Sequence, residues 1–295
     1  MNRFPAKLLL FGEHALLRGA LALAIPFERF GGHWAQSTDS RLEVLRSQEA
    51  LRRMGAYVRE SEVADQYDWQ AFLSAIDQGW YFDSDIPQGY GLGSSGALVA
   101  AFYDQYAKKK ATNLKDLRQD LRFIESFYHG SSSGIDPLVS YLGQPIIVHP
   151  DQRIEPFEAE AAEGLLSHLF LLDSELPRET GPLVNWFLES MEAEAYQIAF
   201  HGELKPAIQS AIEGFKMGDL ERLCLAFRQI SDWQISGKMQ PMVPAIMEPI
   251  WQADTYILKV CGAGGGGYFL GLAQPSFDWP EKIGNFNLIP LVTQK

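Results

Sequence analysis

The chain has little cysteine, little positive charge and no long apolar run, and each shortage excludes something. Only two cysteines, Cys224 and Cys261, occur in 295 residues. They form no C-x-x-C and have no histidine at ligand spacing, so free thiols are expected rather than a disulfide framework or thiolate zinc site. Lys and Arg total 25 against 37 Asp and Glu, a net charge of −12. The basic run KKK at 108–110 suits the dipole at a helix end. Nucleic acids and anionic membranes require clustered cations, so neither is an expected partner. KLLLFGEHALL, near the N-terminus, carries Glu13 and His14 and is too short and polar for a membrane span or signal peptide. A cytoplasmic protein is expected. Low-complexity tracts and clear repeats are missing too.

What remains is a globular profile, 46 % apolar and 21 % charged, long enough for one large domain or two ordinary ones. Residues 6–11 and 20–25 predict buried strands around the turn GEHALLRG. A polar, helix-permissive stretch at 41–78 leads to WYFDSDI, a glycine turn, and a helix from Ala97 to Lys110. Asn113 predicts the cap of a second helix with Leu114, Leu117, Leu121, Ile124 and Tyr128 on one buried face. Glu125 falls on the edge of that face and needs a partner. QPIIVHP predicts a strand, and near 155 the composition changes. Two domains are therefore expected, 1–155 and 156–295. The second reads as strand LSHLFLLDS, helical PLVNWFLESMEAEAYQIAF and AIQSAIEGFKMGDLERLCLAF, and strand–turn–strand YILKVCGAGGGGYFLGL.

Two glycine turns satisfy G-x-G-x-x-G: Gly91, Gly93 and Gly96, and Gly262, Gly264 and Gly267. A dinucleotide site needs a strand running directly into the glycines and a helix after them, with an acid about twenty residues on. Pro87 and Gly89 interrupt the first approach, the region beyond it is basic KKKATN, and YFLGL after the second turn reads as a strand. A Walker loop fails because no Gly-Lys-Ser/Thr follows. GLGSSG still offers backbone N–H groups and two hydroxyls, Ser94 and Ser95, at a helix start, a suitable seat for nucleotide phosphates and their metal. In isolation, either serine would be read as a helix cap.

Four blocks in order change that balance: PAKLLLFGEHALLRG, PQGYGLGSSGALVAA, HGSSSGID and KVCGAGGGGYFLGL. Together they resemble the GHMP kinase family of small-molecule kinases, its mevalonate kinase branch most closely, over residues 5–272. The resemblance implies an α/β (α+β) fold of two domains, ribosomal-S5-like then ferredoxin-like, and an ATP- and Mg²⁺-dependent phosphotransferase acting on a primary hydroxyl. Mevalonate is the favoured acceptor, and phosphomevalonate or a sugar the alternative. It implies Asp136 as catalytic base with Lys7 beside it, and Gly91, Leu92, Gly93, Ser94 and Ser95 on the ATP phosphates. Ser95 and Glu125 are implied as Mg²⁺ ligands, Glu13, His14, Arg178 and Thr180 as acceptor contacts, and Gly262, Ala263, Gly264 and Gly265 as a turn near the active site. An arginine suits a substrate carboxylate, which it can grip bidentately.

Departures from the family pattern are Ala6 for Gly, Gly96 for Ala, Ser132 for Pro and Cys261 for Thr. The segment at about 35–80 is short, and the adenine contacts are not legible in it. Pro241, Pro244 and Pro249 interrupt a stretch where the family predicts helix. Two rivals stand beside the kinase: a non-catalytic ligand-binding member of the fold, and a dinucleotide oxidoreductase. Oligomeric state, with a homodimer one option, is left open.

Overall fold

The computed structural model describes residues 2–39, 41–130, 132–158, 160–177, 180–275 and 277–292. Contacts divide the chain into two compact units, Met1–Leu8, Ile25–Gln88 and Leu92–Gln144 in the first, Leu9–Ala24, Gly89–Gly91 and Pro145–Lys295 in the second. The division cuts strands β1 (Arg3–Phe11) and β2 (Ala22–Gln36).

In the first unit β2 runs well past the strand expected at 20–25. Gly31 and Gly32 lie inside the strand. A side chain on Gly32 would sit 2.2 Å from Cζ of Phe82, so glycine is what admits that ring onto the sheet. Phe82 belongs to β3 (Trp80–Ser84), which pairs antiparallel with β2 from Gly32 opposite Ser84 to Gln36 opposite Trp80. Between them run α1 (Leu42–Arg59) and α2 (Trp69–Asp77), which occupy the stretch expected to be helical.

Three helices complete the unit: α3 (Ser94–Tyr106), α4 (Leu114–His129) and α5 (Ile135–Leu142). The Asn113 side chain accepts from the Asp116 N–H at 3.0 Å, the predicted cap. Leu117, Leu121, Ile124 and Glu125 form the buried face of α4. Phe102 of α3 is fully buried, its ring 5.2–6.1 Å from those of Phe72, Tyr67, Tyr106 and Trp69. The Ser140 hydroxyl of α5 donates to the Pro5 carbonyl of β1 at 2.6 Å.

In the second unit β4 (Ile146–Val148) pairs with Ala22, Leu23 and Ala24 of β2, and β5 (Ile154–Pro156) pairs with β4. After the short α6 (Glu163–Leu166) comes an antiparallel sheet of β6 (Leu169–Asp173), β7 (Gln252–Ala253), β8 (Tyr256–Val260), β9 (Tyr268–Ala273), β10 (Lys282–Ile283) and β11 (Phe286–Pro290). Its order is β10-β11-β6-β9-β8-β7. The long helical stretches of the sequence divide in two, into α7 (Thr180–Ser190) and α8 (Glu194–Ala199), and into α9 (Lys205–Met217) and α10 (Leu220–Trp233). Left-handed Gly218 separates the last pair. Two hydrogen bonds hold α10 and the turn after it to β8: Ser231 hydroxyl to Leu258 carbonyl at 2.6 Å, and Val260 N–H to Gln234 Oε1 at 2.8 Å. The proline-rich stretch forms 3₁₀ turns, Gln240–Met242 and Ala245–Ile250, since proline cannot continue an α-helical ladder. Among the described residues no helix is long and apolar enough to cross a membrane.

Truncating the centre of the aromatic cluster removes a large buried ring. Phe102→Ala should cost about 3–5 kcal/mol, read as a lower urea midpoint at unchanged slope. A midpoint within error of wild type would show that the cluster does not hold the unit together.

Candidate active site

Among the described residues singled out from the sequence, Lys7, Leu92 to Ser95, Glu125 and Asp136 lie in the first unit, and Glu13, His14 and the turn at 262–265 in the second. In the first, Lys7 sits on β1 with its Nζ 2.8 Å from Oδ1 of Asp136, in the first turn of α5. The lysine side chain is 9 % exposed and the aspartate 29 %, so water and a ligand reach the pair through the aspartate. Lys7 is fastened at its backbone too, its N–H donating to the Leu92 carbonyl at 2.8 Å. Leu92 and Gly93 are the buried members of the GLGSS turn, which thereby lies against β1.

Gly91 and Gly93 of that turn both have φ +72°. Left-handed Gly93 is itself the cap residue of α3, and Ser94 and Ser95 are the first two helical residues. Neither serine is the N-cap, contrary to their simplest isolated reading. A side chain on Gly93 would come within 3.3 Å of Asp136 Oδ2 and 3.4 Å of Lys7 Cβ. The turn thus packs against the carboxylate and against the stem of the lysine paired with it. A glycine turn opening a helix favours an anion by its N–H groups and dipole, and here that seat adjoins a cation.

Close packing of α3 against α5 sets the position of Asp136. A side chain on Gly96 would lie 2.8 Å from the Asp136 carbonyl carbon and the Pro137 nitrogen. Where the family pattern carries alanine, the backbone of α5 fills the space.

Glu125 lies on the buried face of α4, and the partner it needed is Ser132, whose hydroxyl donates to the carboxylate. The Gly134 N–H donates to the same serine oxygen at 2.9 Å. Burial first, and the Asp136 charge second, push the Glu125 pKa up to about 8, while the Ser132 bond and the Lys7 ammonium pull it down. A carboxyl desolvated to this degree is a place where a cation would be welcome. Among the described residues no group of three or more His, Cys, Asp or Glu could hold a metal by itself. Magnesium suits the arrangement nonetheless, because it is commonly bound by one or two protein oxygens with water and substrate phosphates completing the shell.

Sequence reading missed two participants here. Ser132 entered only as a departure from the family pattern, yet it bonds Glu125. His129 was quoted in HGSSSGID without a role, yet its Nε2 is 3.1 Å from the Ser95 hydroxyl. Its spacing from Glu125, one helical turn, was the available signal.

The second cluster lies in the second unit. Glu13 and His14 occupy the turn after β1, and Glu13 forms a buried ion pair with Lys259 of β8. His14 Nε2 is 2.9 Å from the Ala263 carbonyl, and its ring is 5.5 Å from that of Phe187. Gly262, Ala263, Gly264 and Gly265 form the turn between β8 and β9, the glycines all at positive φ. The Gly265 N–H donates to Met242 O at 2.8 Å and the Gly267 N–H to Leu176 O at 2.9 Å. The structure therefore joins the GEH turn to the glycine turn. Thr180 begins α7. Arg178 lies outside the described residues.

Comparison with known proteins follows this geometry. Residues 56–144 match the family model for the GHMP kinases N terminal domain. Mevalonate kinase of Aeropyrum pernix is 25 % identical over 288 residues, spanning 91 % of this chain and 86 % of that protein. Mevalonate kinase of Archaeoglobus fulgidus is 25 % identical over 315 residues, spanning 97 % and 95 %. Residues 56–144 thus resemble the N-terminal domain of GHMP kinases, and relatives named mevalonate kinase align along nearly the whole chain. Among solved structures, L. major mevalonate kinase in complex with R-mevalonate matches this chain with TM-score 0.63 at 17 % identity, over 93 % of this chain and 87 % of that one. Streptococcus pneumoniae phosphomevalonate kinase in complex with phosphomevalonate and AMPPNP matches with TM-score 0.58 at 14 % identity, over 92 % and 91 %. Those likenesses establish the fold, the α/β GHMP architecture.

Two expectations follow. With its pKa raised from 4.5 to about 8, Glu125 holds a proton in the folded state between those pH values that the unfolded chain has released. Its contribution to stability therefore declines as pH rises through that window. Glu125→Gln should flatten this decline, so thermal melting across pH 5–9 should favour the variant increasingly toward the alkaline end. Parallel curves would show that the carboxyl titrates normally.

Gly96→Ala forces α5 outward at Asp136. It should cost about 1–3 kcal/mol in denaturant unfolding and lower kcat more than nucleotide affinity. A variant with unchanged stability and turnover would show that the packing is slack.

Proposed function

We propose that this kinase transfers the terminal phosphoryl group of ATP to the primary hydroxyl of mevalonate, giving 5-phosphomevalonate, with Mg²⁺ as cofactor. The single observation that carries the phosphotransfer reading is the contact of the GLGSS turn with the Lys7–Asp136 pair, at 2.8 Å between the charges. The Asp136 carboxylate accepts the hydroxyl proton as the acceptor oxygen begins to bond to phosphorus. The Lys7 ammonium offsets negative charge gathered on the transferring group, and the N–H groups of the turn hold the phosphate oxygens. Ser95 and Glu125 would hold Mg²⁺, which when bound supplies charge neutralisation at the phosphates. Binding there would release the proton held on Glu125. The kinase decays at none of these positions, which disfavours a purely ligand-binding member of the fold.

Mevalonate as acceptor is supported by the names of the relatives and by the GEH block. His14, Thr180 and Arg178 are the acceptor contacts of this reading, Arg178 gripping the carboxylate. A phosphomevalonate kinase or sugar kinase is the alternative. A coupled assay with mevalonate, phosphomevalonate and several sugars decides among them.

Asp136→Asn keeps the shape and loses the proton acceptor. Its kcat should fall by about 10²–10⁴ while ATP still binds. Lys7→Met should also lower kcat, and the double variant should lose less than the product of the two defects, since the groups act as a unit. A folded Asp136→Asn enzyme with full turnover would falsify the base assignment.

A further inference from the structure

Lys259 has no role in the sequence reading, yet its Nζ is fully removed from water. It donates to the Glu13 carboxylate and, at 2.6 Å, to the Val260 carbonyl, with the Phe11 ring centroid 5.5 Å away. The lysine side chain is 0 % exposed and the Glu13 side chain 3 %. A carboxylate buried to that extent and engaged by an ammonium presents no open face to a substrate.

The next residue, His14, has φ +52° and ψ −40°. A non-glycine residue keeps such a backbone only where its surroundings enforce it. Two fastenings are visible. Glu13 is held by Lys259, and His14 Nε2 is 2.9 Å from the carbonyl of Ala263. Both partners belong to the same segment, the end of β8 and the glycine turn after it. Because a carbonyl only accepts, Nε2 carries the proton and the tautomer of His14 is set by this contact.

We propose that Glu13 and Lys259 are a positioning pair for His14, so that Glu13 acts on the acceptor through His14 instead of touching it. This rests on the reading of His14 as an acceptor contact. The pair has a physical motive: removing one charge strands the other in a dry interior, whereas removing both can be nearly neutral for folding. What both charges supply is register between the GEH turn and the glycine turn.

The test uses the full chain labelled with ¹⁵N-histidine, with the His14 signal assigned by its loss in His14→Gln. Wild type should show the Nε2–H tautomer. The double variant Glu13→Gln/Lys259→Met, which removes both charges together, should fold and lose that fixed tautomer. Its kcat/KM for the acceptor should fall about 10²-fold, the scale of a small misplacement at a site, with KM for ATP unchanged. Glu13→Asp, which keeps the charge at shorter reach, should move both readouts in the same direction by less. Each single variant that folds should match the double, so the defects should not multiply. A double variant, or Glu13→Asp, that keeps the His14 signal and acceptor KM would overturn the proposal. So would multiplying defects, since they would show an independent contact of Glu13. Absence of any kinase turnover in wild type would sink the functional reading alone, because the tautomer signal does not depend on it.

Discussion

The Lys7–Asp136 ion pair depends on three separate fastenings, and the first unit is arranged around them. β1 carries the lysine and is anchored by backbone to Leu92. α5 carries the aspartate and is anchored to β1 through Ser140 and Pro5. α3 approaches α5 so closely that no side chain fits at Gly96. A buried ammonium needs its counterion, so any motion of one element leaves a charge unpaired. The pair is therefore both a proposed catalytic device and a constraint on where the GLGSS turn can lie.

Around this pair, electrostatics divides the carboxyls into different tasks. Asp136 has an ammonium at hydrogen-bond distance and remains partly open. Glu125 accepts from the Ser132 hydroxyl, lies deeper, and feels the Asp136 charge as repulsion more strongly than the Lys7 charge as attraction. Such divergent environments separate a group suited to accept a substrate proton from one suited to receive a cation. Ser132 and His129 complete the arrangement, each holding one of the two proposed metal ligands.

The second unit uses a different kind of constraint. Its antiparallel sheet and covering helices hold a glycine turn whose backbone is fixed by Met242 and Leu176. The Glu13–Lys259 ion pair and the His14–Ala263 hydrogen bond fasten the GEH turn to the end of β8 and to this turn. Strained His14 is affordable in that setting because its neighbours on both sides are already committed.

Much of this was legible in order along the chain. Apolar periodicity marked α4 and its buried face, Asn113 marked the cap, and the glycine punctuation marked the turns, because these are local consequences of residue chemistry. The four blocks also carried the resemblance to GHMP kinases, since they occur in the same order across most of the length. Local reading failed where a distant residue decided. The strand expected at 20–25 runs on to Gln36, where Phe82 packs onto Gly32; Gly93 takes the cap place that Ser94 or Ser95 had in isolation; and Lys259, without a role in the sequence reading, meets Glu13. The sequence alone determined which side chains were available and the local geometry around them. Only the tertiary structure decided which charges share a dry interior, because pairing across hundreds of residues is set by packing and desolvation, and neither is a property of any short stretch.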